Sequence, residues 1–142
     1  MKKFLAAAAI FVALATPAAA QPTSRGFTGV WAIQTQDYSN SQGREFRALS
    51  GTMIISRNGR SYSADLVAHT MGAYPGEWPT TARETCTART SGNRISITCA
   101  IVSHNSENGY DPDNFELTLD GDEMRGQLIY GGQTGALFTR VR

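Results

Sequence analysis

Apolar residues in this chain recur at every second position. In the stretch from Thr81 to Ser103, Cys86, Ala88, Ile95, Ile97 and Cys99 alternate with Thr85, Thr87, Arg89, Ser96 and Thr98. A period of two is that of a β-strand with one buried face. Eight segments carry this pattern or the Thr, Ile, Val and Tyr enrichment that accompanies it: Val30 to Gln36, Phe46 to Arg57, Arg60 to His69, Thr81 to Thr90, Arg94 to Ser103, Phe115 to Asp120, Glu123 to Tyr130 and Ala136 to Arg142. Gly, Asn, Asp and Pro punctuate them. No window of useful length has the three-four spacing of an amphipathic helix, so the chain is expected to be all-β.

The turns predict which end of the sheet matters. Three tight ones, Asn58-Gly59, Gly92-Asn93 and Asp120-Gly121-Asp122, alternate with three longer polar and aromatic connections, Asp37 to Arg44, Thr70 to Thr80 and His104 to Asn114. In an antiparallel meander alternate turns share an end, so the long loops gather on one rim, joined there by the short Gly131 to Gly135. Asn-Gly favours a type I′ hairpin, which would set Ile55 against Tyr62 and Met53 against Ala64. A turn at Gly92-Asn93 places Cys86 directly opposite Cys99 in a non-hydrogen-bonded pair, where Cα atoms approach to about 4.5 Å. That suits a cross-strand disulfide, worth about 2–3 kcal/mol for so short a loop. Eight strands with one apolar face each can close into a barrel or split into a sandwich. Closure removes the exposed edges and neighbour-to-neighbour connections favour it. The expected fold is an eight-stranded antiparallel up-and-down (meander) β-barrel, a single domain over 28–142.

The chain opens its first strand with Gly29-Val30-Trp31 and ends Phe138-Thr139-Arg140-Val141-Arg142. This resembles the calycin group, the lipocalin- and avidin-like barrels, which share a G-x-W on strand one and a basic residue late in the last strand. The resemblance implies that Trp31 plugs the plain end with Arg140 or Arg142 packed across it as a cation–π contact. The matching motif is a few residues long. Ile33 stands where avidins carry an Asn, so biotin binding is not implied.

Lys2 and Lys3, the apolar run from Phe4 to Thr16 and Ala18-Ala19-Ala20 form a secretory signal, 1–20, with a cut after Ala20 and a flexible leader over 21–27. No cysteine lies at the cut to accept a lipid, so the exported protein is expected in the periplasm or outside the cell, with no membrane anchor. Both lysines belong to the signal. The remainder has 11 arginines against 12 acidic residues, a net charge of −1. Such a balance gives no support to nucleic-acid or anionic-membrane binding, and a chain without lysine cannot form a Schiff base.

The elaborated rim collects the candidate chemistry. Tyr38, His69, Tyr74, Trp78, His104 and Tyr110 are the expected ligand-binding residues, with Glu77, Asp111 and Asp113 among them. The two histidines have no metal-ligand spacing, and strand alternation points both outward. No G-x-S-x-G elbow, phosphate-cradling loop or calcium-loop spacing occurs. The expectation is therefore no enzyme, no metal and no cofactor. Were there catalysis, a tyrosine, Glu84 or Asp65 inside the barrel and His69 or His104 at the rim would carry it. The leading functional reading is an exported binding barrel taking a small apolar or amphipathic ligand at its open mouth. Small inward residues (Gly51, Ala64, Ala68, Ala88, Gly126) among large ones (Ile55, Tyr62, Leu66, Ile97, Phe115, Leu117) leave open whether the interior is hollow or filled. The alternative is a protein-binding barrel that inhibits an extracytoplasmic hydrolase, which small exported one-disulfide inhibitors of metalloproteases and lysozymes resemble in size and architecture.

Overall fold

A computed structural model of the chain describes residues 26–39, 43, 45–71, 78–130 and 132–142. The signal, most of the leader, Tyr74 and Glu77 lie outside the described residues. In chain order the strands are β1 (Gly29–Thr35), β2 (Tyr38–Ser39), β3 (Glu45–Phe46), β4 (Ser50–Asn58), β5 (Ser61–Thr70), β6 (Thr80–Ser91), β7 (Arg94–His104), β8 (Asn114–Asp120), β9 (Glu123–Tyr130) and β10 (Gly132–Arg140). Eight of them form a closed antiparallel barrel in the order β1-β10-β9-β8-β7-β6-β5-β4, with β1 also paired to β4. The small β2–β3 ribbon lies between β1 and β4; the sequence pattern did not reveal it, and Phe46, expected to open the second barrel strand, belongs to it, while β4 begins at Ser50. Gly132 to Gly135, expected in a loop, begin β10 instead, with Gly132 opposite Tyr130.

The tight turns share one chemistry. Each opens on a glycine with positive φ, Gly59 (62°), Gly92 (61°) and Gly121 (61°), and no non-glycine among the described residues has a positive φ. Glycine first and an ordinary residue second is the arrangement of a type II′ hairpin. This corrects the Asn58-Gly59 reading. The central residues are Gly59 and Arg60, Asn58 pairs with Ser61, and Ile55 faces Ala64 while Met53 faces Leu66. A type I′ turn would need a left-handed Asn58, and starting on glycine avoids that cost. The register moves by two residues, so every side chain keeps its face.

Alternation delivers the core. Inward positions from all eight strands, including Trp31, Met53, Leu66, Ala68, Met124, Leu128 and Phe138, have essentially no surface that a water molecule can reach. A void large enough for water would appear as accessible surface on these side chains, so this part of the interior is packed solid. Cys86 and Cys99 sit inside the barrel wall, opposite each other with Cα atoms 4.0 Å apart, and are joined in a disulfide.

The plain end closes around Trp31. Its Nε1 donates to the Phe27 carbonyl at 2.9 Å, and the Arg140 guanidinium lies 4.2 Å from the ring centroid. Arg140 also donates to Asp122 Oδ1 and to the carbonyls of Thr28 and Gly26. Arg142 does not reach the indole; it is exposed and pairs with Asp122 Oδ2 at 3.0 Å. Phe27, at the end of the expected leader, is buried and meets Tyr62 edge-on.

Candidate functional site

Four barrel strands end at the opposite rim and four begin there, and the side chains that close it are polar. Strand parity alone puts two carboxyls inside. Glu84 shares a face of β6 with Ala82, Cys86 and Ala88, and Asp113 precedes β8 in phase with Phe115 and Leu117. Glu84 is 2% exposed and Asp113 1%. The Asp113 backbone N–H donates to Glu84 Oε2 at 3.0 Å, which sets the two carboxyls against each other. Above them Tyr110 donates its hydroxyl to Asp113 Oδ2 at 2.8 Å. Tyr38, carried by β2, shares hydrogen bonds with Tyr110 and Thr70. Thr70 in turn donates to the Arg47 carbonyl, and Thr35 Oγ1 accepts from the Leu49 N–H. The mouth is thus capped by a hydrogen-bonded layer of two carboxyls, two tyrosines and Thr70, with Thr35 buried on the same rim but bonded to Leu49 and Gln36.

Burial governs the ionisation of this layer. Desolvation raises Glu84 above the usual carboxylate range. Asp113 is held well above it, by desolvation first and then by the charge and hydrogen bond of Glu84. Tyr38 is pushed up to about 12, chiefly by burial, and Tyr110 rises further for the same reason. Among the described residues no arginine or histidine pairs with either carboxyl, and Glu84 Oε1 has no hydrogen-bond donor at all. Two ionised carboxylates in contact in a low-dielectric setting repel strongly, which favours retention of a proton by the pair.

A β-bulge re-aims one expected site residue. Arg83 faces Ser103 but Glu84 faces Ile101, so Val102 is an extra residue on β7. Beyond it the parity of β7 reverses, and His104 becomes the partner of the inward-facing Ala82. Simple alternation had turned His104 outward; the bulge instead lets it stack on Tyr110, with ring centroids 6.3 Å apart and planes inclined 27°. His69 follows plain alternation. It is exposed on the outer wall, where Nδ1 meets Thr81 Oγ1 at 2.9 Å. Asp65 also faces outward and is exposed, so of the carboxylates considered inside the barrel only Glu84 is there.

Outside this cap lies a groove of about 350 Å³ between Trp78, Pro79 and Thr80 on one wall and Asn105, Ser106, Glu107 and Asn108 on the other. Asn105 builds its base. Its Oδ1 accepts from the Thr81 N–H at 2.7 Å, its Nδ2 donates to the Pro79 carbonyl, and its own N–H donates to the Thr81 carbonyl. These bonds extend the β6–β7 ladder past its end and fix the chain on which Trp78 stands. Trp78 itself is 87% exposed.

The structure therefore divides the expected rim residues. Tyr38, Tyr110 and His104 join one cluster, Trp78 stands on a separate outer groove, and His69 belongs to neither. Thr35 and Thr70 were missed, because threonine is ordinary in strands and only inward parity marks them. Among the described residues no three His, Cys, Asp or Glu side chains group as metal ligands. No protein-family model matches the chain, and no curated protein matches it either.

Proposed function

We propose that the protein is a non-enzymatic, exported binding module that takes an amphipathic ligand on the outer side of its capped mouth, in the groove beside Trp78. The observation that carries this reading is the exposure of Trp78. A tryptophan left almost wholly in water, on a chain segment fixed by Asn105, presents a large rigid apolar face above a polar opposite wall. The packed interior argues against a ligand deep in the lumen, and the groove is at the small end of the volume range of ligand sites. Among the described residues Glu84 and Asp113 have no serine, cysteine or histidine bonded to them and lie beneath two tyrosines, which favours binding over catalysis. A buried disulfide and the N-terminal signal fit an oxidising, extracytoplasmic setting. The Gly29-Val30-Trp31 entry with Arg140 over the indole supports kinship with calycin barrels.

Tryptophan emission tests the proposal directly, because Trp31 is buried and Trp78 is exposed. Titration with fatty acids, retinoids and aromatic dyes should produce a saturable shift that Trp78→Ala abolishes. Substitutions in the tight turns, such as Asn93→Ala, should leave it intact. Absence of any saturable response, or its survival in Trp78→Ala, would remove the support for this site.

A second reading has its own observation. Met71, half exposed, adds another large apolar residue at the same end of the barrel as Trp78, which fits a protein partner such as an extracytoplasmic hydrolase. Inhibition assays on secreted metalloproteases and lysozymes, with Trp78→Ala as the control, separate the two readings.

A further inference from the structure

The cap over the mouth is built unlike the rest of the molecule. Elsewhere the described buried charge is compensated: Arg140 pairs with Asp122 and donates to two carbonyls. At the mouth two carboxyls are buried against each other with no cation among the described residues, and one carboxylate oxygen has no donor. An apolar pair of similar volume would close the barrel at lower cost. The carboxyls also join separate parts of the chain. Glu84 belongs to the rigid wall of β6, whereas Asp113 and Tyr110 belong to the connection between β7 and β8.

That connection is weakly held by backbone pairing. The β7–β8 ladder extends only from Arg94–Thr118 to Ile97–Phe115, and beyond it Cys99 N–H turns to the Asn114 side chain. Across the mouth the connection is anchored by Asp113 on Glu84, by Tyr110 on Tyr38, and by Asn105 at its start.

We propose that the Glu84–Asp113 pair is a proton-operated latch: one shared proton holds the β7–β8 connection across the barrel mouth, and loss of that proton releases it. The groups facing the pair set the direction. From β6 there is Glu84 itself, whose strand neighbours Leu66 on β5 and Ile101 on β7 are apolar. From the connection come Asp113 and Tyr110, with His104 stacked on the Tyr110 ring; from β2 comes Tyr38, and from β5 Thr70. The two tyrosines are neutral through the physiological range, because burial raises both. Among the described residues buried in the cap, the carboxyl pair is what can change charge; His104, stacked on Tyr110, is exposed. The closed state binds a proton that the open, hydrated state gives up at ordinary carboxylate pH. Closure is therefore complete below about pH 4 and weakens as pH rises toward the raised value of the closed state. The same connection supplies the Asn105 to Asn108 wall of the outer groove. Release would reshape that groove, a consequence that alone rests on the binding reading above.

Amide hydrogen exchange over 105–113 in the intact protein tests the latch without any ligand. After correction for intrinsic exchange, the opening equilibrium of these amides should rise about tenfold per pH unit above about pH 4, as loss of one proton on opening requires. Asp113→Asn keeps the shape, the backbone bond to Glu84 and a side-chain donor, but holds no titratable proton at position 113. Glu84 still titrates in it, so its rise should be shallower, and it should be more protected than the natural protein at pH 7. Glu84→Gln should flatten the profile likewise. A pH slope in either variant equal to that of the natural protein would overturn the proposal. So would an Asp113→Asn protein that fails to fold or opens more readily at pH 7, since the latch requires the neutral amide to be tolerated better than the acid.

Discussion

Removing Trp31 is the most direct test of how the plain end is held. The indole is 0% exposed, donates one hydrogen bond to Phe27 and carries the Arg140 guanidinium at 4.2 Å. Deleting a buried tryptophan to alanine costs about 3–5 kcal/mol in lost transfer and cavity energy. The desolvated cation–π contact and the hydrogen bond each add about 1 kcal/mol. The resulting loss of about 5–7 kcal/mol approaches the whole stability of a small domain, about 5–15 kcal/mol. Trp31→Phe is therefore the measurable variant. It keeps one ring but loses the N–H and the second ring, and should cost about 2–3 kcal/mol. Urea unfolding followed by circular dichroism gives this loss, and Tm should fall by roughly 10 °C. Crossing Trp31→Leu with Arg140→Met isolates the ring–guanidinium contact, and the coupling should be about 1 kcal/mol. A Trp31→Ala protein that loses less than 1 kcal/mol would refute the account of this end. Zero coupling in the cycle would refute the cation–π part alone.

Gly126→Ala should destabilise by about 2–3 kcal/mol as overpacking, because its Cβ would strike the backbone of Glu116 and Leu117 on β8; urea midpoints read this, and a neutral or stabilising result would mean that β8 can move aside. Asp122 accepts from Arg142 and Arg140, which together hold its carboxyl below the usual range, Arg142 first. Its stabilising effect is present above about pH 4 and lost as pH falls through its depressed value, so Asp122→Asn should flatten the acid limb of the Tm–pH curve, and an unchanged limb would count against these pairs.

The sequence reveals faces better than it reveals phase. Strand alternation placed Met53, Ile55, Leu66, Ile97, Phe115 and Leu117 inside, and each is buried there. The pairing of Cys86 with Cys99 followed from a glycine turn whose position was correct. At Asn58-Gly59 the same logic chose the wrong two residues, because the preference of Asn-Gly for a type I′ turn competes with the ease of starting a type II′ turn on glycine. That error cost nothing for the core, since a two-residue slip preserves parity. The Val102 bulge is the opposite case. One extra residue reverses parity, and nothing in the alternation of Ile101, Val102, Ser103 and His104 marks it. His104 was therefore turned away from the ring on which it stacks. Glu84 and Asp113 were legible individually, each a charge in phase with apolar neighbours. Their contact was not, because it depends on how a nine-residue connection folds back over the mouth.

The two ends of the barrel close by opposite electrostatics. At the plain end Asp122 is ionised and bridged to Arg140 and Arg142, so closure needs the carboxylate to be charged. At the mouth Glu84 and Asp113 have no counter-charge among the described residues, so closure needs one of them to stay neutral. Acid weakens the first and strengthens the second. Between them lies a core of Leu66, Phe115, Phe138 and the Cys86–Cys99 disulfide, which does not titrate in this range. Sites that share no partner and lie far apart contribute additively, so the ends can respond to pH independently. A fold that needed only rigidity would use the plain-end solution twice. The mouth instead accepts a buried acid pair where apolar packing would be more stable, and it does so beneath the loop that forms one wall of the Trp78 groove. The cost in stability is thus concentrated at the end where the chain also leaves one of its two tryptophans in water, which is the distribution expected when one end of a barrel serves as scaffold and the other recognises a ligand.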